Sequence, residues 1–295
     1  MSIFKGAGVA IVTPMKPDGS IHFEKLAEYV ENQITAGTDA IIVNGTTGEA
    51  ATMSYDEQEE AVKVVVSAAK KRVPVIAGAG SNNTKNAVKL AVNARKAGAD
   101  AILTVTPFYN KATQKGLKLY YKEVAAAAEL PLIMYNVPGR TGCNILPKTA
   151  VELSDEVENI VAIKDAAGNI SQTMKMAHLN NGNLDIYSGN DDQVIPILSA
   201  GGIGVISVLS NVAPKDTHDM VMEYLNGNTK KALELQLKAI PLIDALFCEV
   251  NPIPVKTALN LMGKEAGVFR SPMCEMDEKN VEVLKKAMKE YGLLN

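Results

Sequence analysis

Lys164 follows an apolar run at residues 161–163 and is the residue of this sequence best suited to covalent chemistry. A lysine at the end of a buried strand is costly to desolvate unless its charge is paired or put to chemical use. Desolvation favours the neutral amine, which is the form that attacks a carbonyl carbon. The pattern therefore predicts a lysine that forms a Schiff base. A structural ion pair with Asp165 or another carboxylate is the alternative, and the strand alone does not separate the two.

A second group of reactive residues lies in the segment 45–49, which reads Gly-Thr-Thr-Gly-Glu after a short apolar run. The two glycines allow a tight turn, and the loop N–H groups with the hydroxyls of Thr46 and Thr47 suit a carboxylate ligand. An ordinary strand-to-helix turn explains this loop equally well when the loop is viewed by itself.

Two tyrosines and an arginine stand at the ends of two further apolar runs. Pro138 and Gly139 should stop the chain after Tyr135 and turn Arg140 over the end of its strand. A guanidinium there suits bidentate capture of a carboxylate. The phenols of Tyr135 and Tyr109 could relay protons, although core aromatics and a solvated surface arginine remain alternative interpretations.

Short apolar runs alternate with helical patterns along most of the chain. We predict strands near residues 8–13, 40–43, 75–79, 101–105, 132–136, 161–164, 185–188 and 204–208, with helices such as 54–70, 83–97 and 117–128 between them. The alternation favours a (β/α)8 barrel, in which the active site lies at the C-terminal ends of the strands. A doubly wound sheet is the alternative, because the number of strands does not reveal closure.

The strand signals stop after residue 226, and helices are predicted over 230–247, 255–262 and 277–291. We therefore expect a catalytic barrel over residues 1–225 and a C-terminal helical domain over 226–295. Within the sixth strand, alternation places Lys164 on the same face as Ala162 and opposite Val161 and Ile163. The spacing of Ser54 and Glu57 predicts a capping box at the start of the helix 54–70.

The composition excludes several classes of protein. The chain has 295 residues, 47% of them hydrophobic, and a net charge of −3 without a basic block, so no nucleic-acid partner is expected. Cys143, Cys248 and Cys274 are odd in number and scattered, which favours a reducing, cytoplasmic location over a disulfide framework. The uncharged stretch 194–214 contains proline and glycines, and we predict a buried helix–turn–strand unit rather than a membrane span.

Cofactor signals are weak. Gly78 and Gly80 begin a dinucleotide fingerprint that lacks its third glycine. The three histidines, His22, His178 and His218, are isolated from one another, so no metal site is expected.

The segments 45–49 and 135–142, together with the Lys164 strand, resemble the pyruvate-dependent class I aldolases, the family that includes N-acetylneuraminate lyase. The resemblance extends over essentially the whole chain. It implies a (β/α)8 barrel with C-terminal helices, a homotetramer built from two tight dimers, and neither a metal nor an organic cofactor. The implied reaction is aldol addition of pyruvate to L-aspartate 4-semialdehyde in lysine and diaminopimelate biosynthesis.

The resemblance also implies roles for individual residues. Lys164 would form the Schiff base with pyruvate, and Thr47 with its loop backbone would hold the pyruvate carboxylate. Tyr135 would shuttle protons, and Thr46 would link it to Tyr109, which would reach across the tight-dimer interface into the neighbouring subunit. Three further residues would bind substrate: Arg140 the carboxylate of the semialdehyde, and Gly189 and Ile206 the pyruvate, the latter through its backbone carbonyl.

Two other activities are alternatives to this one. Lyases of the N-acetylneuraminate branch usually have Gly-Ser-Thr-Gly-Glu in the first loop and lack the Pro-Gly-Arg turn, so Thr46 and Arg140 favour the semialdehyde. A non-catalytic pyruvate sensor is not favoured, because each expected reactive group is present.

One departure concerns regulation. Relatives inhibited by lysine commonly carry histidines and an acidic residue at the positions aligned with Tyr55, Gln58 and Asn86, and a tyrosine at that of Phe108, while Asn82 is retained. Loss of a carboxylate partner removes a charge-assisted contact. We therefore expect L-lysine to inhibit weakly or not at all.

Overall fold

A computed structural model describes residues 2–295, which form a closed barrel of eight parallel strands in sequential order. The strands are β1 Gly6–Ala10, β2 Ala40–Val43, β3 Val75–Gly78, β4 Ala101–Val105, β5 Leu132–Asn136, β6 Ile160–Asp165, β7 Asp185–Ser188 and β8 Gly204–Ser207. The first strand pairs with both β2 and β8, and Gly8 is in register with Ala40 on one side and Ile206 on the other. This closure confirms the predicted (β/α)8 barrel and excludes the doubly wound sheet.

Twelve α-helices accompany the strands in residues 2–295. They are α1 Phe23–Thr35, α2 Tyr55–Ala69, α3 Thr84–Lys96, α4 Gln114–Ala128, α5 Pro138–Thr141, α6 Pro147–Glu156, α7 Ile170–Leu179, α8 Val194–Ser199, α9 Pro214–Leu225, α10 Thr229–Leu246, α11 Ile253–Leu261 and α12 Glu278–Tyr291. Short 3-10 turns occupy Ala50–Thr52, Asp191–Gln193 and Leu209–Asn211.

Local signals explain where two of these helices begin. The Ser54 hydroxyl accepts from the Glu57 N–H, and the Glu57 carboxylate accepts from the Ser54 N–H at 2.8 Å, so the capping box of α2 is confirmed. Helix α4 begins at Gln114, earlier than predicted, because the Thr113 hydroxyl accepts from the Gly116 N–H and caps that turn. Gly116 is a poor helix former, which is why the sequence pattern missed the first turn.

The barrel interior has its own apolar cluster, which includes Ile42, Ile76 and Ile133. At its N-terminal end the Tyr187 hydroxyl donates to the Phe4 carbonyl at 2.7 Å, and the two rings stack with centroids 4.4 Å apart. The aromatic pair fills that end of the barrel. The side chains at the C-terminal ends of the strands therefore stand over a packed apolar interior.

Strand β6 departs from the expected alternation at one residue. Ala162 belongs to the interior cluster and Ile163 to the outer core, as predicted, but Val161 packs against the interior cluster instead of lying opposite Lys164. The register shifts between Leu132 and Ile133, so Val161 is the extra residue of a bulge.

The C-terminal helix α10 packs against a loop of the barrel. On α10 the Gln236 side chain donates to the Asp191 carbonyl at 2.9 Å and accepts from the Ile195 N–H. Helix α11 begins at Ile253, two residues before the predicted start, because Pro254 lies in the first turn, where a missing N–H costs nothing.

None of the helices formed by residues 2–295 combines the length and the apolar character that crossing a membrane requires. The uncharged stretch folds as α8, a turn and β8, which confirms the helix–turn–strand prediction.

Candidate active site

A cavity of about 520 Å³ opens at the C-terminal ends of the strands. Its walls come from the loops after β2, β3, β4 and β5 and from the segment before α11. Thr46, Tyr135 and Arg140 line it together with Asn251. Three of the predicted catalytic and substrate-binding residues are thus brought to one cavity, and the other five are not among its lining residues: Lys164, Thr47, Tyr109, Gly189 and Ile206.

Lys164 lies near the end of β6 with only 6% of its surface exposed. It is in register with Tyr135 on β5, and its Nζ is 4.4 Å from the centroid of the Tyr135 ring. Within residues 2–295 no carboxylate forms an ion pair with it. The arrangement is a shielded amine with a phenol as its neighbour.

Asp165 does not pair with Lys164, so the ion-pair interpretation with this residue is wrong. Its carboxylate accepts from the Thr173 hydroxyl at 2.8 Å and from the Ala167 N–H at 3.1 Å. Burial raises the pKa of Asp165, while these hydrogen bonds and a weaker one from Asn136 act in the opposite direction. Alternation along β6 explains the result, because successive side chains point to opposite faces.

Gly189 directly follows β7, and Ile206 lies on β8. A Cβ placed on Gly189 would lie 3.1 Å from the Cε of Lys164 and 2.6 Å from the Cβ of Ala166, so any side chain here would crowd the lysine. Ile206 is fully buried in the barrel interior.

Asp191 is a buried residue of this region that sequence reasoning did not single out. Its Oδ2 accepts from the N–H groups of Val208 and Leu209 at 3.0 and 2.9 Å, which ties the β7 loop to the end of β8. Desolvation raises the pKa of Asp191, opposed by its hydrogen bonds and by the charge of Lys164. An aspartate after Gly-Asn looks like a loop residue in sequence, and only its burial distinguishes it.

The loop after β2 is a tight turn that is tied to the segment after β1. Asn44 and Glu49 have positive φ angles of 57° and 56°, and the Thr13 hydroxyl donates to the Gly48 carbonyl at 2.7 Å. Thr47 is buried and Thr46 is exposed on the cavity wall. No acceptor for the backbone N–H of Thr46 or Thr47 is found in residues 2–295, so both donors remain for a ligand.

Glu49 forms an ion pair with Lys256 on α11, with 2.6 Å between Oε1 and Nζ. Oε2 of Glu49 also accepts from the Arg270 N–H at 3.4 Å. Burial lowers the pKa of Lys256, and the Glu49 carboxylate opposes that shift. The sequence motif contained Glu49, but nothing local pointed to a partner on a distant helix.

Arg140 lies on the short helix α5, which Pro138 begins and Gly142 ends. Its Nη2 donates to the carbonyl of Asn251 at 3.2 Å. The expected turn is therefore a helical one, and it places the guanidinium in the cavity wall.

Tyr109 is not brought to the other residues within one chain. It is 89% exposed, has a φ of 72°, and its N–H donates to the Thr141 carbonyl at 3.2 Å. An aromatic side chain with so little cover has no packing role in the isolated chain.

Metal-binding groups are absent from the described part of the chain: no cluster of three or more His, Cys, Asp or Glu side chains could hold an ion. His218 contacts Asp39 at 2.8 Å and His22 contacts Glu24 at 3.2 Å, both away from the cavity. The cysteines Cys143, Cys248 and Cys274 are all free.

Comparisons with known proteins identify the family of the chain. Residues 3–291 match the model of the dihydrodipicolinate synthetase family. The chain is 55% identical to a 4-hydroxy-tetrahydrodipicolinate synthase of Lachnoclostridium phytofermentans and 54% identical to one of Clostridium tetani, each over 100% of both chains.

Solved structures are similar over the same length. Dihydrodipicolinate synthase from Thermotoga maritima superposes with a TM-score of 0.97 at 45% identity and covers 99% of this chain and 100% of its own. DHDPS from Cyanidioschyzon merolae, solved with lysine bound, has a TM-score of 0.97 at 38% identity, with 100% of both chains covered. The chain therefore belongs to the dihydrodipicolinate synthetase family.

Proposed function

We propose that the chain condenses pyruvate with L-aspartate 4-semialdehyde to 4-hydroxy-tetrahydrodipicolinate, the product that its relatives' names contain, in lysine and diaminopimelate biosynthesis. The observation that carries the proposal is Lys164, a shielded amine without an ion pair beside Tyr135. Sequence identities of 55% and 54% to two synthases over the full length support this pair of substrates.

The first step is attack by Lys164 Nζ on the keto carbon of pyruvate. The keto oxygen gains two protons and leaves as water, and a C=N double bond to the Lys164 nitrogen replaces the C=O bond, which gives the imine. Tyr135 moves protons in this step, since its ring lies 4.4 Å from the amine. Loss of a proton from the methyl carbon then gives the enamine nucleophile.

The pyruvate carboxylate is held by the loop after β2. The N–H groups of Thr46 and Thr47 lack acceptors within residues 2–295, and Thr47 adds a hydroxyl. Gly189 leaves room beside Lys164, and Ile206 lies in the barrel interior, where its backbone carbonyl would contact pyruvate. Backbone donors in a rigid turn are well suited to a carboxylate.

The enamine carbon attacks the aldehyde carbon of the semialdehyde, whose carboxylate pairs with Arg140. The substrate amino group then attacks the imine carbon and displaces Lys164, which closes the ring and frees the enzyme. Thr46 connects Tyr135 to Tyr109 of a neighbouring subunit for the accompanying proton transfers.

The last point requires self-association, and we infer a homotetramer of two tight dimers. The 89% exposure of Tyr109 supports donation of this side chain to a partner copy. Mixing Tyr109→Phe with Lys164→Ala chains should restore part of the activity, because one shared site then contains both native residues. If mixtures stay inactive while the chains do associate, Tyr109 does not act in trans.

We also infer that residues 1–225 are the catalytic barrel and residues 226–295 a helical addition that supports it. Helix α10 contacts the β7 loop through Gln236, and α11 contacts the β2 loop through Lys256. Both contacts reach loops of the candidate site.

Turnover of pyruvate with L-aspartate 4-semialdehyde, coupled to the downstream reductase and its nicotinamide oxidation, tests the function. N-acetylmannosamine serves as the parallel acceptor for the lyase-like alternative, which lacks an equivalent of Arg140. We expect turnover with the semialdehyde alone. Borohydride trapping of pyruvate without any turnover would support the sensor instead.

A further inference from the structure

Asn251 lies between the two groups proposed to bind carboxylates. Its side-chain Nδ2 donates to Oγ1 of Thr47 at 3.0 Å, and its carbonyl accepts from Nη2 of Arg140 at 3.2 Å. The residue is 5% exposed and lines the cavity. One residue of the segment before α11 thus contacts both Thr47 and Arg140.

The side-chain amide of Asn251 makes a single hydrogen bond. Its Oδ1 is buried and has no partner within residues 2–295. A buried acceptor without a partner is unfavourable, so its retention calls for an explanation. Packing alone does not supply one, because an apolar side chain of this size would avoid the cost.

The direction of the bond to Thr47 determines what that hydroxyl can do next. A hydroxyl has one proton and two lone pairs, whereas an amide NH2 only donates. Because Oγ1 of Thr47 accepts from Asn251, its proton is left for another acceptor. An ionised carboxylate is an acceptor only, so a hydroxyl whose proton is available for donation suits it.

The segment that carries Asn251 is itself fixed to the same loop. Lys256 on α11 pairs with Glu49, two residues after Thr47, with 2.6 Å between Nζ and Oε1. This second contact joins the same loop to the same segment and so supports the position of the amide relative to Thr47.

We propose that Asn251 is a positioning residue that orients the Thr47 hydroxyl as a hydrogen-bond donor to the carboxylate of pyruvate. The proposal rests on the proposed function, in which Thr47 takes that carboxylate. Asn251 acts through Thr47 and does not itself take part in the bond-forming steps.

Substitutions at Asn251 should therefore change pyruvate affinity more than turnover. Asn251→Ala frees the Thr47 hydroxyl to rotate, and we expect KM for pyruvate to rise about tenfold while kcat changes by less than about twofold. Asn251→Asp keeps the shape of the side chain, but its carboxylate accepts the Thr47 proton and adds a negative charge near the carboxylate of pyruvate. KM for pyruvate should therefore rise further, by about 100-fold. A purely structural role would make the isosteric aspartate the milder change.

A double-mutant cycle isolates the contact. Thr47→Val should weaken pyruvate binding by itself, and adding Asn251→Ala to it should have no further effect, because the hydroxyl on which Asn251 acts is gone. Asn260→Ala is the matched control: Asn260 is exposed on α11 and closes its own turn with Gly267, so KM should not change.

Two readouts keep the outcomes distinct. Borohydride trapping at increasing pyruvate concentration measures imine formation without the semialdehyde, and thermal unfolding reports the fold of each variant. Additive effects in the cycle, or equal KM values for native Asn251 and Asn251→Asp, would overturn the proposal. If the native chain neither traps nor turns over pyruvate, the proposed function has failed instead. If Asn251→Ala does not fold, the isosteric Asn251→Asp decides.

Discussion

Nζ of Lys256 donates to Oε1 of Glu49 at 2.6 Å, although 207 positions separate the two residues and their side chains are 0% and 1% exposed. The bond joins α11 to the loop after β2, where the carboxylate of pyruvate is proposed to bind. A buried ion pair is strongly destabilised when only one partner is removed, because the other charge stays buried. The geometry of the candidate site thus depends on a contact outside the barrel.

Lys256→Met should lower the free energy of unfolding by about 3–5 kcal/mol, since it leaves the Glu49 carboxylate unpaired. Denaturant titration at a fixed chain concentration measures the change. The double variant Lys256→Met/Glu49→Leu should recover much of the loss. Lys215→Met breaks the exposed pair with Asp219 and should barely move the midpoint. A small effect of Lys256→Met would mean that the loop is anchored by other contacts.

Lys164→Ala should abolish borohydride trapping of pyruvate and reduce turnover to background, because the amine that forms the imine is gone. Mass spectrometry of the reduced protein measures the adduct. Lys175→Ala, an exposed lysine on the next helix, is the control and should trap normally. Persistent trapping at full stoichiometry in Lys164→Ala would assign the nucleophile elsewhere.

Arg140→Ala should reduce kcat/KM for the semialdehyde by roughly 10- to 100-fold through loss of a charge-assisted contact, with pyruvate trapping largely preserved. Arg140→Lys should recover only part of the loss, because an ammonium cannot make the bidentate contact. If trapping and semialdehyde use fell equally, Arg140 would be better explained as support for the Asn251 segment through its bond to that carbonyl.

L-lysine should inhibit weakly or not at all. The Gln58 amide already donates to the carbonyl of Ala50 at 3.0 Å, and the ring of Tyr55 has the cation of Lys89 4.9 Å from its centroid. Neither side chain supplies the negative charge that a cationic ligand needs. Initial rates against L-lysine test this, and half-inhibition below about 1 mM would contradict it. Asn86→Glu should increase sensitivity if the missing carboxylate is the reason.

The ion pair of Glu57 with Arg270 should make part of the unfolding free energy depend on pH in the acid range. Its hydrogen bonds to Arg270 lower its pKa to about 2, against the ordinary value of 4.5. Because the folded-state pKa is the lower one, the contribution of Glu57 is fully present above the ordinary value and is lost as the pH falls towards 2. The difference in unfolding free energy between the native chain and Glu57→Gln should therefore shrink over that interval. Glu60→Gln, at an exposed position of the same helix, should show no such trend.

Local features of the sequence were sufficient for the eight strands and the main candidate residues. A strand such as Ala40–Val43 is apolar on both faces because helices cover one and the barrel interior lies at the other, so a continuous hydrophobic run identifies it. Lys164 stood out for the same reason, as a charge at the end of such a run. The helix boundaries missed at Gln114 and Ile253 depended on capping and on a proline tolerated in a first turn. The first strand was also misplaced, since it was predicted over residues 8–13 and is formed by Gly6–Ala10.

Long-range contacts decided the rest. The bulge at Val161 arises from pairing with a neighbouring strand, and the bonds from Lys256 to Glu49 and from Asn251 to Thr47 join positions that are more than 200 residues apart. No periodicity in the chain records such pairs, because each forms only when the barrel closes and α11 packs against its mouth. The order of amino acids establishes which chemical groups are available and at the ends of which strands they stand. The folded chain establishes which of these groups share a cavity and which hold the others in place, since those relations depend on distances in space.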